Sequence, residues 1–266
     1  MKRAFNPVYA GVALLLLSSQ LFAGGGAASS REGPEDYRLE LSASFWRMNT
    51  SGDIHAGGDA MNLVSDLGVA QRQRIYDGRL VLKFHRKQRF VLEGTPISIH
   101  GLNTVNRTVT YFGDQFSVSD TLKSSAQMNY IYGGFHHDWV SGSMGRFGSS
   151  IGAAYLGLAG TFQGEKSGIN KANSTPFGLP LAGLDFRLYL VPNKRWIALE
   201  GAVRGLPVGN YGHWVEGTAG VGGWVGPVGV QVGYREMLID FHQTGIDPNG
   251  VNLRFKGPTA TAFWTW

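Results

Sequence analysis

Apolar and polar residues alternate with period two through most of this 266-residue chain, and that alternation limits the folds open to it more than any single motif does. Successive side chains on an extended strand point to opposite faces, so the pattern builds sheets with one apolar and one polar face. Tyr37, Leu39, Leu41, Ala43 and Phe45 share one face, against Arg38, Glu40, Ser42 and Ser44. Leu80, Leu82 and Phe84 oppose Arg79, Val81, Lys83 and His85. Leu184, Phe186, Leu188 and Leu190 oppose Asp185, Arg187 and Tyr189, and Val228, Val230, Val232 and Tyr234 oppose Gln231 and Arg235. The rhythm predicts an all-β fold of about ten antiparallel strands, the last running Leu253 to Trp266. Eight strands (if 88–120 is misread) and twelve are the alternatives.

The ends of the chain separate a soluble sandwich from a barrel. Lys2 and Arg3 precede an apolar stretch, Val8 to Leu17, followed by small residues at Ala23 and at Ala27 and Ala28. This is the form of a secretory signal peptide over 1–28, cleaved after Ala23 or after Ala28, which leaves 29–266 as one domain. Its apolar core is too short to span roughly 30 Å of hydrocarbon as a helix. No later apolar run reaches the roughly 18 residues that a membrane helix needs. With 39 Gly and 12% aromatics, the composition suits a barrel wall instead. The chain has no Cys, which excludes disulfides and thiolate metal sites. The formal charge of +5 would fall to +3 without Lys2 and Arg3, and the cations are scattered, so nucleic acid is not an expected partner.

At the other end, Thr261-Ala262-Phe263-Trp264-Thr265-Trp266 stops on an aromatic residue inside the last strand. This ending resembles the carboxy-terminal signature of Gram-negative outer-membrane β-barrels, where a terminal aromatic marks the closing strand for the assembly machinery. The resemblance implies a closed antiparallel transmembrane barrel in the bacterial outer membrane, monomeric, surrounded by membrane lipid and lipopolysaccharide, with Trp264 and Trp266 as its assembly signal. If both face lipid, then Phe255 and Phe263 point inward, and Arg254 and Lys256 lie at the outer rim or follow a bulge. Short turns near 86–88, 140–146, 192–194 and 225–227 contrast with long polar stretches at 50–72 and 163–176, as periplasmic turns and outer loops should.

Lipid-facing positions must be apolar and no backbone edge can stay open in hydrocarbon, so the polar set is forced inward. That set is Arg38, Glu40, Lys83, Glu93, Asp185, Arg187, Glu200, Arg204, Glu216 and Arg235. Their mixed signs predict cross-strand pairing in a filled interior rather than a selective pore. The expected function is a structural or surface barrel, or a narrow pore, with no cofactor and no metal.

The enzymatic alternative is a lipid A-modifying enzyme or an omptin-like protease acting at the extracellular rim. Its candidate catalytic pair is Asp240 and His242, two apart and therefore on one face. Asp53 and His55 repeat that spacing. His136 and His137 fall on opposite faces of a strand, so they do not chelate one metal together. Asn106-Arg107-Thr108 fits a glycosylation pattern, with little meaning for an exported bacterial protein. In the first long loop, Leu63 and Leu67 are placed to tuck the segment 62–68 over the barrel mouth, with Ser65 or Asp66 turning it before Gly68.

Overall fold

Ten of the alternating segments form long strands, each bonded to its neighbours in sequence and in space. The computed structural model describes residues 33–55, 59–104, 108–111, 114–116, 120–207, 212–242 and 250–266. The signal segment 1–28 and Asn106-Arg107 lie outside them. The strands are β1 (Leu39–His55), β2 (Ala60–Asn62), β3 (Arg72–His85), β4 (Gln88–Thr104), β5 (Val109–Tyr111), β6 (Asp114–Phe116) and β7 (Thr121–Gly142). Then follow β8 (Gly145–Gly164), β9 (Asn170–Val191), β10 (Lys194–Pro207), β11 (Gly212–Val225), β12 (Val228–His242) and β13 (Gly250–Thr265). The sheet runs β13-β12-β11-β10-β9-β8-β7-β4-β3-β1, all antiparallel, and the pairing of β13 with β1 closes it. The short β2 pairs with β1, and β5 with β6 forms a separate hairpin. The seam runs from Glu40–Thr265 to His55–Gly250. Trp266 completes it, since its carbonyl accepts from the Arg38 and Leu39 amides and its own amide donates to Leu39.

One end of the barrel carries both termini of the strand ring and four two-residue turns, at 86–87, 143–144, 192–193 and 226–227. The longer connections are all at the other end. The polar stretch 163–176, read from sequence as a loop, is mostly strand: β8 and β9 pair out to Gln163–Asn170 and leave only 165–169 as the turn. Asp120 closes this corner by accepting from the Lys166 and Ser167 amides at 2.8 and 3.2 Å.

The outer surface has a band of apolar residues on the turn-end half. It includes Phe84, Leu92, Ile131, Ile151, Leu188, Leu199, Val221 and Val230, all exposed. Tyr76, Tyr155 and Tyr234 edge it on the loop side, and Trp139, Trp196, Trp264 and Trp266 on the turn side. Along β3 the band runs from Tyr76 to Phe84. At about 3.3 Å per residue and a tilt near 45°, its height is about 20 Å, close to the hydrocarbon band of known barrels. Trp264 and Trp266 stack outward at 5.3 Å while Phe255 and Phe263 are buried inside. Arg254 and Lys256 follow the same outward face above the band, without a bulge.

Two sequence placements are corrected near the start of β1. Arg38 is exposed ahead of the strand rather than inside, and Tyr37 is buried inside rather than outward. The alternation fails there because β1 begins at Leu39. Residues 33–38 instead fold across the turn-end mouth, starting with a turn in which the Asp36 amide donates to the Gly33 carbonyl.

The β3–β4 ladder stops at Gly78–Gly94, short of the loop end. The segment 62–69 fills the gap. Val69 bridges to Gly101, Ser124 donates to the Leu67 carbonyl at 3.2 Å, and Asn103 donates to the Ser65 carbonyl at 2.5 Å. Asn62 turns the segment by accepting from the Val64 and Ser65 amides, both at 3.0 Å. Gly68 sits at φ +66° against β4, where a Cβ would lie 2.3 Å from the Leu102 carbonyl oxygen. Only glycine fits that approach.

Candidate functional site

The inward faces fill the lumen in tiers. At the turn end, Arg187 projects from β9 between three carboxylates. Its guanidinium forks onto Glu40 at 2.9 and 3.1 Å, its Nε donates to Glu200 at 2.5 Å, and Glu35 lies 3.7 Å away. The same group lies over the Trp224 ring at 4.9 Å. Beside it, Arg89 pairs with Asp138 at 2.9 Å and with Asp185. Arg146 also binds Asp185, and His136 Nδ1 meets the second Asp185 oxygen at 2.8 Å.

The capping segment delivers Glu35 into this tier. Lys83 donates to its carboxylate at 3.0 Å and to its carbonyl at 2.6 Å, and the Tyr189 hydroxyl donates to it at 2.7 Å. Burial alone would raise the Glu35 carboxyl, but Arg187, Lys83 and Arg146 outweigh that and hold it well below the usual carboxylate range. A lowered folded pKa means stabilisation that is present above the unfolded value, about 4.3, and is lost as pH falls below it. Glu35→Gln should therefore cost about 3 kcal/mol at neutral pH. It should also flatten the fall in the urea midpoint between about pH 5 and 2. An unchanged slope would contradict the assignment.

The middle tier centres on Glu216 of β11. It accepts from Arg204 Nε at 2.8 Å, from Arg235 Nε at 2.8 Å and from the Tyr130 hydroxyl at 3.1 Å. Arg204 also binds Glu93, which Arg79 approaches at 3.4 Å, and Arg235 reaches Asp77 at 3.2 Å. Between these tiers lies a cavity of about 120 Å³ lined by charged groups and by Ser42, Ser44, Ser150, Thr218 and Gln231. A cavity of this size and polarity has room for water.

The loop half is apolar. Trp46, Met48, Ile97, Leu156, Trp214, Met237 and Phe255 project inward and are buried there. Met61, Leu63, Leu67 and Val69 from the first long connection pack into the same cluster. Trp214 stacks on Tyr130 at 5.6 Å and 12°.

Of the ten polar residues that the alternation turns inward, nine line these tiers, and Arg38 does not. Sequence reasoning missed Glu35, Asp77, Arg79, Arg89, His136, Asp138 and Arg146 as members. Arg89 has the parity of Val91 and Glu93, and His136 and Asp138 that of Tyr130 and Tyr132. The polar turns beside them hid that parity. His136 is buried at 5% exposure while His137 is exposed, so the pair does face opposite ways.

Asp240 and His242 share a face, but it is the outer wall of β12 near the rim. His242 Nδ1 lies 3.9 Å from Asp240 Oδ1; His242 is exposed and Asp240 half-buried. Neither lines the lumen. Asp53 accepts from the Asn62 side-chain Nδ2 at 2.9 Å rather than from His55.

No family model matches the chain, and no curated protein matches it in sequence. Solved structures do match. The outer membrane protease OmpT from Escherichia coli superposes with a TM-score of 0.58 at 11% identity, over 86% of this chain and 97% of that one. The fold is that of an outer-membrane β-barrel. The translocator domain of the autotransporter NalP from Neisseria meningitidis also matches, over 97% of this chain and 95% of that one at 11% identity, with a TM-score of 0.45. At these identities the similarity concerns the barrel alone.

Proposed function

We propose that this chain is an exported, monomeric outer-membrane protein whose barrel is a sealed support for its extracellular end, and that it is neither a pore nor an enzyme. The observation that carries this reading is the stacking of two unlike seals in one lumen. The turn half is crossed by paired charges such as Arg187 and Arg89, both 0% exposed. The loop half is closed by an apolar core that includes its own loop. Among the described residues, the two seals lie one above the other, and that supports a lumen closed to ions.

The outward apolar band and its two aromatic edges support placement in a bilayer, with the four short turns on the periplasmic side. The signal-like segment 1–28 supports export, and the outward Trp264 and Trp266 on the closing strand support recognition by the assembly machinery. Strands as long as the 22 residues of β7 and β9 reach well beyond the band, so the wall stands above the membrane as a collar. That collar and its loops are the surface on which a partner would act.

The test is electrical. The refolded full-length protein, inserted into planar bilayers and verified by heat-modifiable migration on a gel, should give no conductance steps. Sustained, reproducible ion current from the inserted protein would overturn the sealed reading.

A further inference from the structure

The outer wall of β13, β1 and β3 gathers cations on successive outward positions directly above the apolar band. Phe45 and Tyr76 face each other across β1 and β3 with rings 5.6 Å apart, at the band's edge. The next outward pair up is Arg47 opposite Arg74, and the next is Asn49 opposite Arg72, with Lys256 of β13 on the other side of Asn49. Arg47, Arg72 and Arg74 are exposed.

Like charges placed directly opposite across a ladder repel and weaken it. Among the described residues, Arg47, Arg72 and Arg74 make no ion pair that would relieve this. The acids of this wall are engaged: Glu236, which faces Lys256 across β12–β13, binds Arg254 at 2.5 Å, and Asp53 accepts from the Asn62 side-chain Nδ2. Other strands do not repeat the arrangement. The corresponding outward positions are Ser98 and His100 on β4, Asn129 and Gln127 on β7, and Gly157 and Ala159 on β8.

We infer that this wall binds the phosphomonoester group of an anionic membrane lipid headgroup, with Arg47 and Arg74 as the clamp and Arg72 and Lys256 flanking it. Guanidinium forks match phosphate oxygens geometrically, and an anion between Arg47 and Arg74 turns a repulsive pair into a bridged one. The level of the site selects a lipid over a free ion. The cations lie one side-chain step above Phe45 and Tyr76, at the depth where a headgroup sits over its own acyl chains. The inference rests on the barrel spanning a bilayer, which heat-modifiable migration scores separately for every sample.

The experiment uses the full chain refolded into phosphatidylcholine vesicles with or without a small fraction of a phosphomonoester lipid, phosphatidic acid. In wild type, that lipid should raise the thermal unfolding midpoint. In Arg47→Gln/Arg74→Gln the rise should vanish, and the affinity for the lipid should drop about tenfold or more, the scale of two lost charge-assisted hydrogen bonds. In plain phosphatidylcholine the double variant should be at least as stable as wild type, because the repulsion is gone. An equal rise in the variant would overturn the site. The same rise from inorganic phosphate without the lipid would overturn the lipid source.

Discussion

Replacing Arg187 by Ala should destabilise the barrel by about 3–5 kcal/mol, the scale on which breaking a buried ion pair leaves its partners uncompensated. The partners here are Glu40, held by both prongs of the guanidinium, Glu200 on the adjoining strand, and Glu35 from the capping segment. These carboxylates come from three separate parts of the chain, so the loss affects closure as well as local packing. Arg187→Lys should recover little of it. An ammonium is a compact point donor and cannot serve Glu40 bidentately while reaching Glu200. The urea midpoint of the refolded protein and the fraction migrating as the compact, unboiled species measure both effects. A variant within about 1 kcal/mol of wild type would mean that the turn-end charges are solvated and only incidentally near one another.

Trp214→Ala should cost a similar amount, about 3–5 kcal/mol, for a different reason. Trp214 is completely buried in the apolar half and stacks on Tyr130, whose hydroxyl reaches Glu216 in the tier below. The deletion opens a cavity at the junction of the two seals. Trp214→Phe should be much milder, because the indole Nε1 has no acceptor in the structure and its removal leaves no polar group stranded. If Phe were as damaging as Ala, the indole nitrogen would have a partner such as buried water, and the apolar seal would be wetter than described. Comparing the two variants by urea midpoint separates the cases.

The sequence carried the wall better than its contents. Period-two alternation locates the strands because a residue on a two-faced sheet has only two directions to take. Strand β12 shows this from Val228 to Tyr234, where every second residue faces outward. Alternation fails where the chain is not yet a strand. Glu35 sits in the capping segment, whose path depends on Lys83, Arg146, Arg187 and Tyr189, all distant in sequence. The division of the lumen was also illegible. Arg235 and Met237 have the same parity on β12, and only the stacking of neighbouring strands puts one in the charged tier and the other in the apolar core. The Asp240 and His242 pair shows the reverse hazard. Spacing correctly places them on one face but does not say which, and the register of β12 turns that face to the outside.

Closure of β13 onto β1 is the claim on which the rest depends, and the lack of native Cys makes it directly measurable. Ser44 and Thr261 are register partners across that seam, and the Thr261 hydroxyl donates to Ser44 Oγ at 3.0 Å. That spacing is suitable for a disulfide. The double variant Ser44→Cys/Thr261→Cys, refolded and mildly oxidised, should form an intramolecular disulfide in nearly every molecule and remain the compact species on a gel. Failure to cross-link in the folded protein, or cross-linking only between chains, would contradict a barrel that closes on itself.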